Sequence, residues 1–167
     1  MTGTGVPQMQ VSVVAVGKAK ERYIEEGIAE YEKRLRPYAS CEIVEVKDER
    51  VPKNASPAEE AKVKEQEGER ILAAVRDGAL LVALDCGGEM WSSEDLAARL
   101  HTWEISGTHE VCFVIGGPLG LSRAVLDRAD IRLSLSRMTF LHTLVRVVLL
   151  EQIYRAFRIV RGEPYHK

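Results

Sequence analysis

The chain has 167 residues, with 23 Lys and Arg against 25 Asp and Glu, for a formal net charge of −2. That length suits one domain with a sizeable core, and 46% hydrophobic and 29% charged residues describe a globular chain rather than a disordered one. No apolar run approaches the roughly 18 residues of a membrane span. MTGTGVPQ lacks the basic and apolar regions of a secretory signal, so the compartment expected is the cytoplasm. Mild acidity argues against a strongly basic nucleic-acid binder, an exclusion that the distribution of charge later revises. Cys41, Cys86 and Cys112 are odd in number and form no CxxC, which argues against a disulfide framework or a zinc site. Cys41 and Cys112 fall in apolar runs, where cysteine behaves as a small hydrophobe.

Residues 1–8 read as a flexible extension, and the folded pattern starts at Met9, itself a plausible alternative start. QVSVVAV over 10–16 predicts a strand ending at Gly17. Over 21–35 the spacing predicts a helix with Tyr23, Ile24, Ile28, Tyr31 and Leu35 on one face, stopped by Pro37. CEIVEV over 41–46 alternates like a strand with one wet face, and 47–57 reads as a surface loop. Ser56-Pro57-Ala58-Glu59 predicts a capping box and a helix to about Val75. ALLVALD over 79–85 predicts a strand covered on both faces, followed by a Gly87-Gly88 turn. Ser92 or Ser93 caps a helix over 94–104. VCFVI over 111–115 is a buried strand, a short helix follows Ser122, and IRLSL over 131–135 is the last strand. Thr139 or Thr143 caps the longest helix, 143–161. The alternation of strand and helix gives an α/β fold, a mainly parallel sheet with helices on both faces. In such sheets ligands sit beyond the carboxyl ends of strands, here after Asp85, Ile115 and Leu135.

Several segments carry chemistry. In FVIGGPLGLS, 113–122, three glycines and a proline follow a buried strand, which is either a tight turn or a close approach to a ligand. It is neither GxGxxG nor a Walker loop. On the long helix Val145, Leu149, Leu150, Ile153, Ala156, Phe157 and Val160 share one arc, with Glu151, Tyr154, Arg155, Arg158 and Arg161 opposite. Arg146 falls inside the apolar arc, so it either snorkels or faces a site or a subunit boundary. The tail GEPYHK ends in an aromatic and a histidine, which are either a frayed end or groups able to stack on a base and exchange a proton.

FVIGGPLGLS, LSLSRMTFLHTLVRVVLLEQIYRAFRIVRGEPYHK and VSVVAVGKAKERYIEEGIAEYEKRLRPY together resemble the RlmH family. These are SPOUT-superfamily methyltransferases of pseudouridine N3 in large-subunit ribosomal RNA. The resemblance runs from Met9 to Lys167, with Leu141 where members usually carry proline before His142. It implies one SPOUT domain over 9–167 with a C-terminal trefoil knot, and S-adenosylmethionine as cofactor. The contacts it implies for that cofactor are Leu84, Gly116, Leu135, Ser136, Arg137, Met138, Thr139 and Phe140. It also implies a homodimer acting in the cytoplasm on 23S rRNA of the large subunit or 70S ribosome (position 1915 in standard numbering, helix 69), with no metal and no membrane. Glu151, Arg155, His142, Tyr165 and His166 are the catalytic candidates, and Arg146, Arg158 and Lys167 the RNA candidates. Two other readings compete. A nucleotide-binding redox enzyme needs GxGxxG where the chain has AVGKAKERY, and a non-catalytic RNA-binding protein would bind no methyl donor.

Charge is unevenly spread. Residues 132–167 hold seven basic side chains against two acidic ones, a local +5 within a chain of −2. The expectation against nucleic acid therefore narrows to one against indiscriminate polyanion binding.

Overall fold

A computed structural model of the protein describes residues 8–167. The extension expected over 1–8 lies outside the described residues except for Gln8, whose amide donates to the carbonyls of Arg36 and Pro37. Ten elements alternate: β1 Met9–Val16, α1 Arg22–Leu35, β2 Ala39–Val46, α2 Pro57–Ala74, β3 Leu80–Met90, α3 Ser93–Ile105, β4 Glu110–Ile115, α4 Arg123–Arg128, β5 Ile131–Ser134 and α5 Leu144–Val160. Every strand pair is parallel, in the order β2-β1-β4-β3-β5.

Period-two alternation divides the core between the two faces of the sheet. Val11, Val13, Ala15, Val82, Phe113 and Leu133 pack with Leu35 of α1, Leu100 of α3 and Leu149, Ile153 and Phe157 of α5. Val14, Val16, Leu81, Ala83 and Val114 pack on the other side with Ile71 of α2 and Val125 of α4. Two helix starts follow the expected chemistry. Ser56 and Glu59 form a reciprocal capping box with Pro57 in the first turn, and Ser92 does the same with Asp95. Each such cap is worth about 1 kcal/mol.

Three local expectations are corrected. Gly87-Gly88 is not a turn that ends a strand: β3 continues to Met90, and Leu133 of β5 pairs with both Leu84 and Glu89. The four residues between are extruded as a bulge, and Gly88 is glycine because an added Cβ would lie 2.6 Å from the Arg132 carbonyl. Thr143 stands at the cap position of α5 but in helical conformation, and its buried hydroxyl makes no capping bond. The first turn is instead tied by the Val145 amide donating to the Leu141 carbonyl at 3.1 Å. Tyr23 is exposed, leaving Ile24 and Leu35 as the buried residues of α1.

Candidate active site

Beyond the carboxyl ends of β3, β4 and β5 lies a cleft of about 560 Å³. That size falls in the range of small-molecule sites. Its floor and walls come from Leu84, Ile115, Gly116, Leu121, Leu133 and Val145. The loop Leu135–His142, between β5 and α5, closes one side. Seven of the eight expected cofactor contacts line it: Leu84, Gly116, Leu135, Ser136, Met138, Thr139 and Phe140. Arg137, on the same exposed stretch as Met138–Phe140, is the one that does not line it. The glycine turn is tight for a backbone reason, since Gly117 and Gly120 bridge and a Cβ on Gly116 would lie 2.8 Å from the Gly120 backbone. The cleft thus offers apolar walls and short loops, which suit an aromatic ring and an aliphatic chain and offer no cationic side chain for a pyrophosphate.

The loop is held from both ends. Ser134 Oγ donates to the Ser136 carbonyl, and the Met138 amide donates to Ser136 Oγ, both at 3.0 Å. At the far end α5 is pinned by Arg146, which is only 1% exposed. Its guanidinium donates to Glu45 at 2.5 Å and to the carbonyls of Val16 and Gly17 at 3.1 and 2.9 Å. Arg146 therefore neither snorkels nor reaches RNA. It is an internal strut between α5 and the ends of β1 and β2, which corrects its place among the RNA candidates. His142 lines the cleft beside this strut. Burial, then the charge of Arg146, push its imidazole below the usual histidine range, against weaker pulls from Glu21 and Asp48. His142 is therefore neutral near pH 7.

The other four catalytic candidates meet on the outer face of α5. Glu151 Oε1 accepts from Arg155 Nε and Nη2, at 3.0 and 2.6 Å, and from the Tyr165 hydroxyl at 3.0 Å. Gln152 donates to Glu151 Oε2 at 2.9 Å. Arg155 Nη1 faces His166 Nδ1 at 3.1 Å, and His166 Nε2 faces Glu94 of α3 at 2.7 Å. Burial, with Tyr31 and Glu151 beside it, pushes the Tyr165 phenol up to about 12, so it donates and does not ionise. The tail is consequently docked rather than frayed. Tyr165 packs edge-on against Tyr154 with ring centroids 4.8 Å apart, and Arg155 covers its ring. Arg158, an RNA candidate, is spent on the same docking: it donates to Tyr38, Glu163 and the Pro164 carbonyl. Lys167 is exposed.

None of these four residues lines the cleft. Sequence reasoning missed Glu94, Gln152, Tyr154 and Glu45. The last had a signal: in CEIVEV, Glu45 shares parity with Cys41 and Ile43, which face the core, so β2 and α5 each carry one charged residue on an apolar face, and the two pair with each other. Cys41, its thiol pushed up to about 12 by burial, and Cys112, raised for the same reason, are inert packing residues.

The sequence matches the family described as "Predicted SPOUT methyltransferase" over residues 9–166. The chain belongs to the SPOUT methyltransferase family. Its curated relatives include the ribosomal RNA large subunit methyltransferase H of Carboxydothermus hydrogenoformans, 56% identical over 159 residues, spanning 95% of this chain and all of that protein. The protein of the same name from Bacillus pumilus is 53% identical over the same shares. Within SPOUT this places the chain in the RlmH group that its motifs resemble. Among solved structures, a probable methylase family protein from Haemophilus influenzae Rd KW20 aligns with a TM-score of 0.54 over 95% of this chain and 71% of that one. Its 12% identity speaks for the fold alone.

Proposed function

We propose that this protein transfers a methyl group from S-adenosylmethionine to N3 of a pseudouridine in helix 69 of large-subunit ribosomal RNA. It works in the cytoplasm as a homodimer on the assembled subunit or ribosome, and its C-terminal part takes the knotted path of its superfamily. The names of its relatives support the RNA substrate, and the apolar cleft after β3–β5 fits the donor. When bound, that donor supplies an electrophilic methyl on a sulfonium.

The observation that carries the reading is a separation. The cleft holds His142 as its one imidazole, while the polar cluster Glu151–Arg155–Tyr165–His166 stands elsewhere on the same chain. A second copy that brings its tail to the first copy's cleft unites them. The rim supports such a partner, since Met138 is 77% exposed and Phe140 and Leu141 are exposed beside it.

N3–H lies between two carbonyls and must lose its proton to attack. Glu151, with both oxygens already accepting hydrogen bonds, positions Arg155 and Tyr165 rather than taking the proton. The two remaining candidates for the proton are neutral His142 in the cleft and His166 of a docked tail. Tyr165 and Arg155 orient the base by stacking and hydrogen bonding.

The test is mass mapping of large-subunit RNA from a deletion strain complemented with the full chain or with a chain lacking Tyr165–Lys167. The full chain restores N3-methylpseudouridine. The shortened chain does not, yet keeps its S-adenosylmethionine affinity. Full methylation by the shortened chain would sink the composite site, and modified RNA in the uncomplemented strain would sink the assignment.

A further inference from the structure

The residues lining the cleft are almost free of formal charge, and Asp85 is the exception. It is the first residue of the β3 bulge, where the chain leaves its pairing with β5 after Leu84. The residue is half-buried and, among the described residues, its carboxylate has neither a hydrogen bond nor an ion pair. Gly87 leaves room beside it, since a Cβ there would lie 3.3 Å from Asp85 Oδ2. In the free chain its oxygens are open to solvent, but a ligand that fills the cleft displaces that water, and the covered carboxylate is then costly unless the ligand brings the opposite charge.

We propose that Asp85 is a specificity-determining residue whose charge makes the cleft prefer the cationic methyl donor to its uncharged-sulfur product. The proposal rests on the reading that the cleft takes S-adenosylmethionine. Donor and product share adenine, ribose, ammonium and carboxylate. They differ by one methyl and one unit of positive charge. In the transfer the methyl's bond to the acceptor nitrogen forms from the nitrogen's electron pair. The sulfur keeps the pair of the broken bond and becomes a neutral thioether, and the N3 proton passes to the base. Apolar walls alone favour the thioether, which is easier to strip of water. A carboxylate in the wall reverses that order and eases product release. One unpaired charge in a partly wet cleft gives a preference of about tenfold, equivalent to about 1.4 kcal/mol.

The experiment is calorimetric titration of the full chain and its Asp85→Asn variant with three ligands: S-adenosylmethionine, S-adenosylhomocysteine and sinefungin. Sinefungin carries an ammonium in place of the sulfonium. The variant is expected to bind the two cationic ligands about tenfold more weakly and S-adenosylhomocysteine within twofold of wild type. The wild-type preference is expected to shrink as salt rises. Equal weakening of all three ligands means that Asp85 holds a shared group such as the ribose, and overturns the proposal. So does an unchanged variant, or a wild-type preference indifferent to salt. Wild-type protein that binds none of the three overturns the proposed function itself, and this inference with it.

Discussion

Replacing Arg146 by methionine removes the strut between α5 and the sheet while nearly keeping its volume, so the loss is polar rather than a cavity. Three bonds go: one to Glu45 and two to the carbonyls of Val16 and Gly17. The Val16 carbonyl bond is buried, and an orphaned buried acceptor costs about 1–3 kcal/mol. Glu45 is 39% exposed and the Gly17 carbonyl is only partly buried, so water re-solvates both and each loss falls to about 0.5–1 kcal/mol. Relief from desolvating the guanidinium offsets part of this. The net expectation is a destabilisation of about 2–3 kcal/mol, a large share of the roughly 5–15 kcal/mol typical of a domain.

Urea unfolding followed by circular dichroism reads this as a lower midpoint with an unchanged slope. Glu45→Gln is expected to cost less, and the double variant less than the sum, because both act on one interaction. An Arg146→Met protein as stable as wild type would refute the strut. It would place Arg146 with those buried ions that well-packed hydrophobic residues replace at no loss.

Two further predictions follow from local geometry. Gly88→Ala drives a Cβ into the Arg132 backbone, which cannot yield as a flexible side chain would, so about 3 kcal/mol of stability is expected to go and the β3–β5 pairing to loosen, read by hydrogen exchange at Leu133 and Ser134. His142 has a folded-state pKa below its reference of 6.5, so the folded state binds its proton less readily than the unfolded state. Its contribution is present above pH 6.5 and is lost as pH falls through the lowered folded value, so His142→Asn is expected to flatten the acid limb of the stability curve.

The sheet was legible because its strands are short apolar runs, most of them covered on both faces, and α2, α3 and α4 because Ser56, Ser92 and Ser122 stand where caps are needed. The bulge was not, since a Gly-Gly pair reads as a turn until a neighbouring strand is known to pass within van der Waals range of it. Seven of the eight residues expected to contact a cofactor line one cleft because strand ends in a parallel sheet converge, which chain order already implies. The polar cluster was half legible. Glu151–Arg155 is a helical spacing visible in the sequence, but Tyr165 and His166 reach it only because α5 carries Tyr154 as a packing platform and α3 presents Glu94, and no local pattern joins those segments.

The charge of the C-terminal segment changes meaning once its partners are known. Of its seven cations, Arg132, Arg146, Arg155, Arg158 and Arg161 are each in an ion pair within the chain. Arg137 and Lys167 are left without one among the described residues, the first on the rim loop and the second at the end of the tail. Much of the local +5 is therefore balanced within the chain: Arg146 pins α5, Arg155 and Arg158 dock the tail, and Arg132 and Arg161 pair with Asp127 and Glu104 at the surface. A polyanion gains affinity from each free cation it neutralises, whatever its sequence. Two free cations per chain in this segment give a weak sequence-independent hold, and even two copies side by side only double it. Selection of one nucleotide then falls to shape and stacking at the proposed composite site, where the tail's aromatic and histidine are already fixed in place before any RNA arrives.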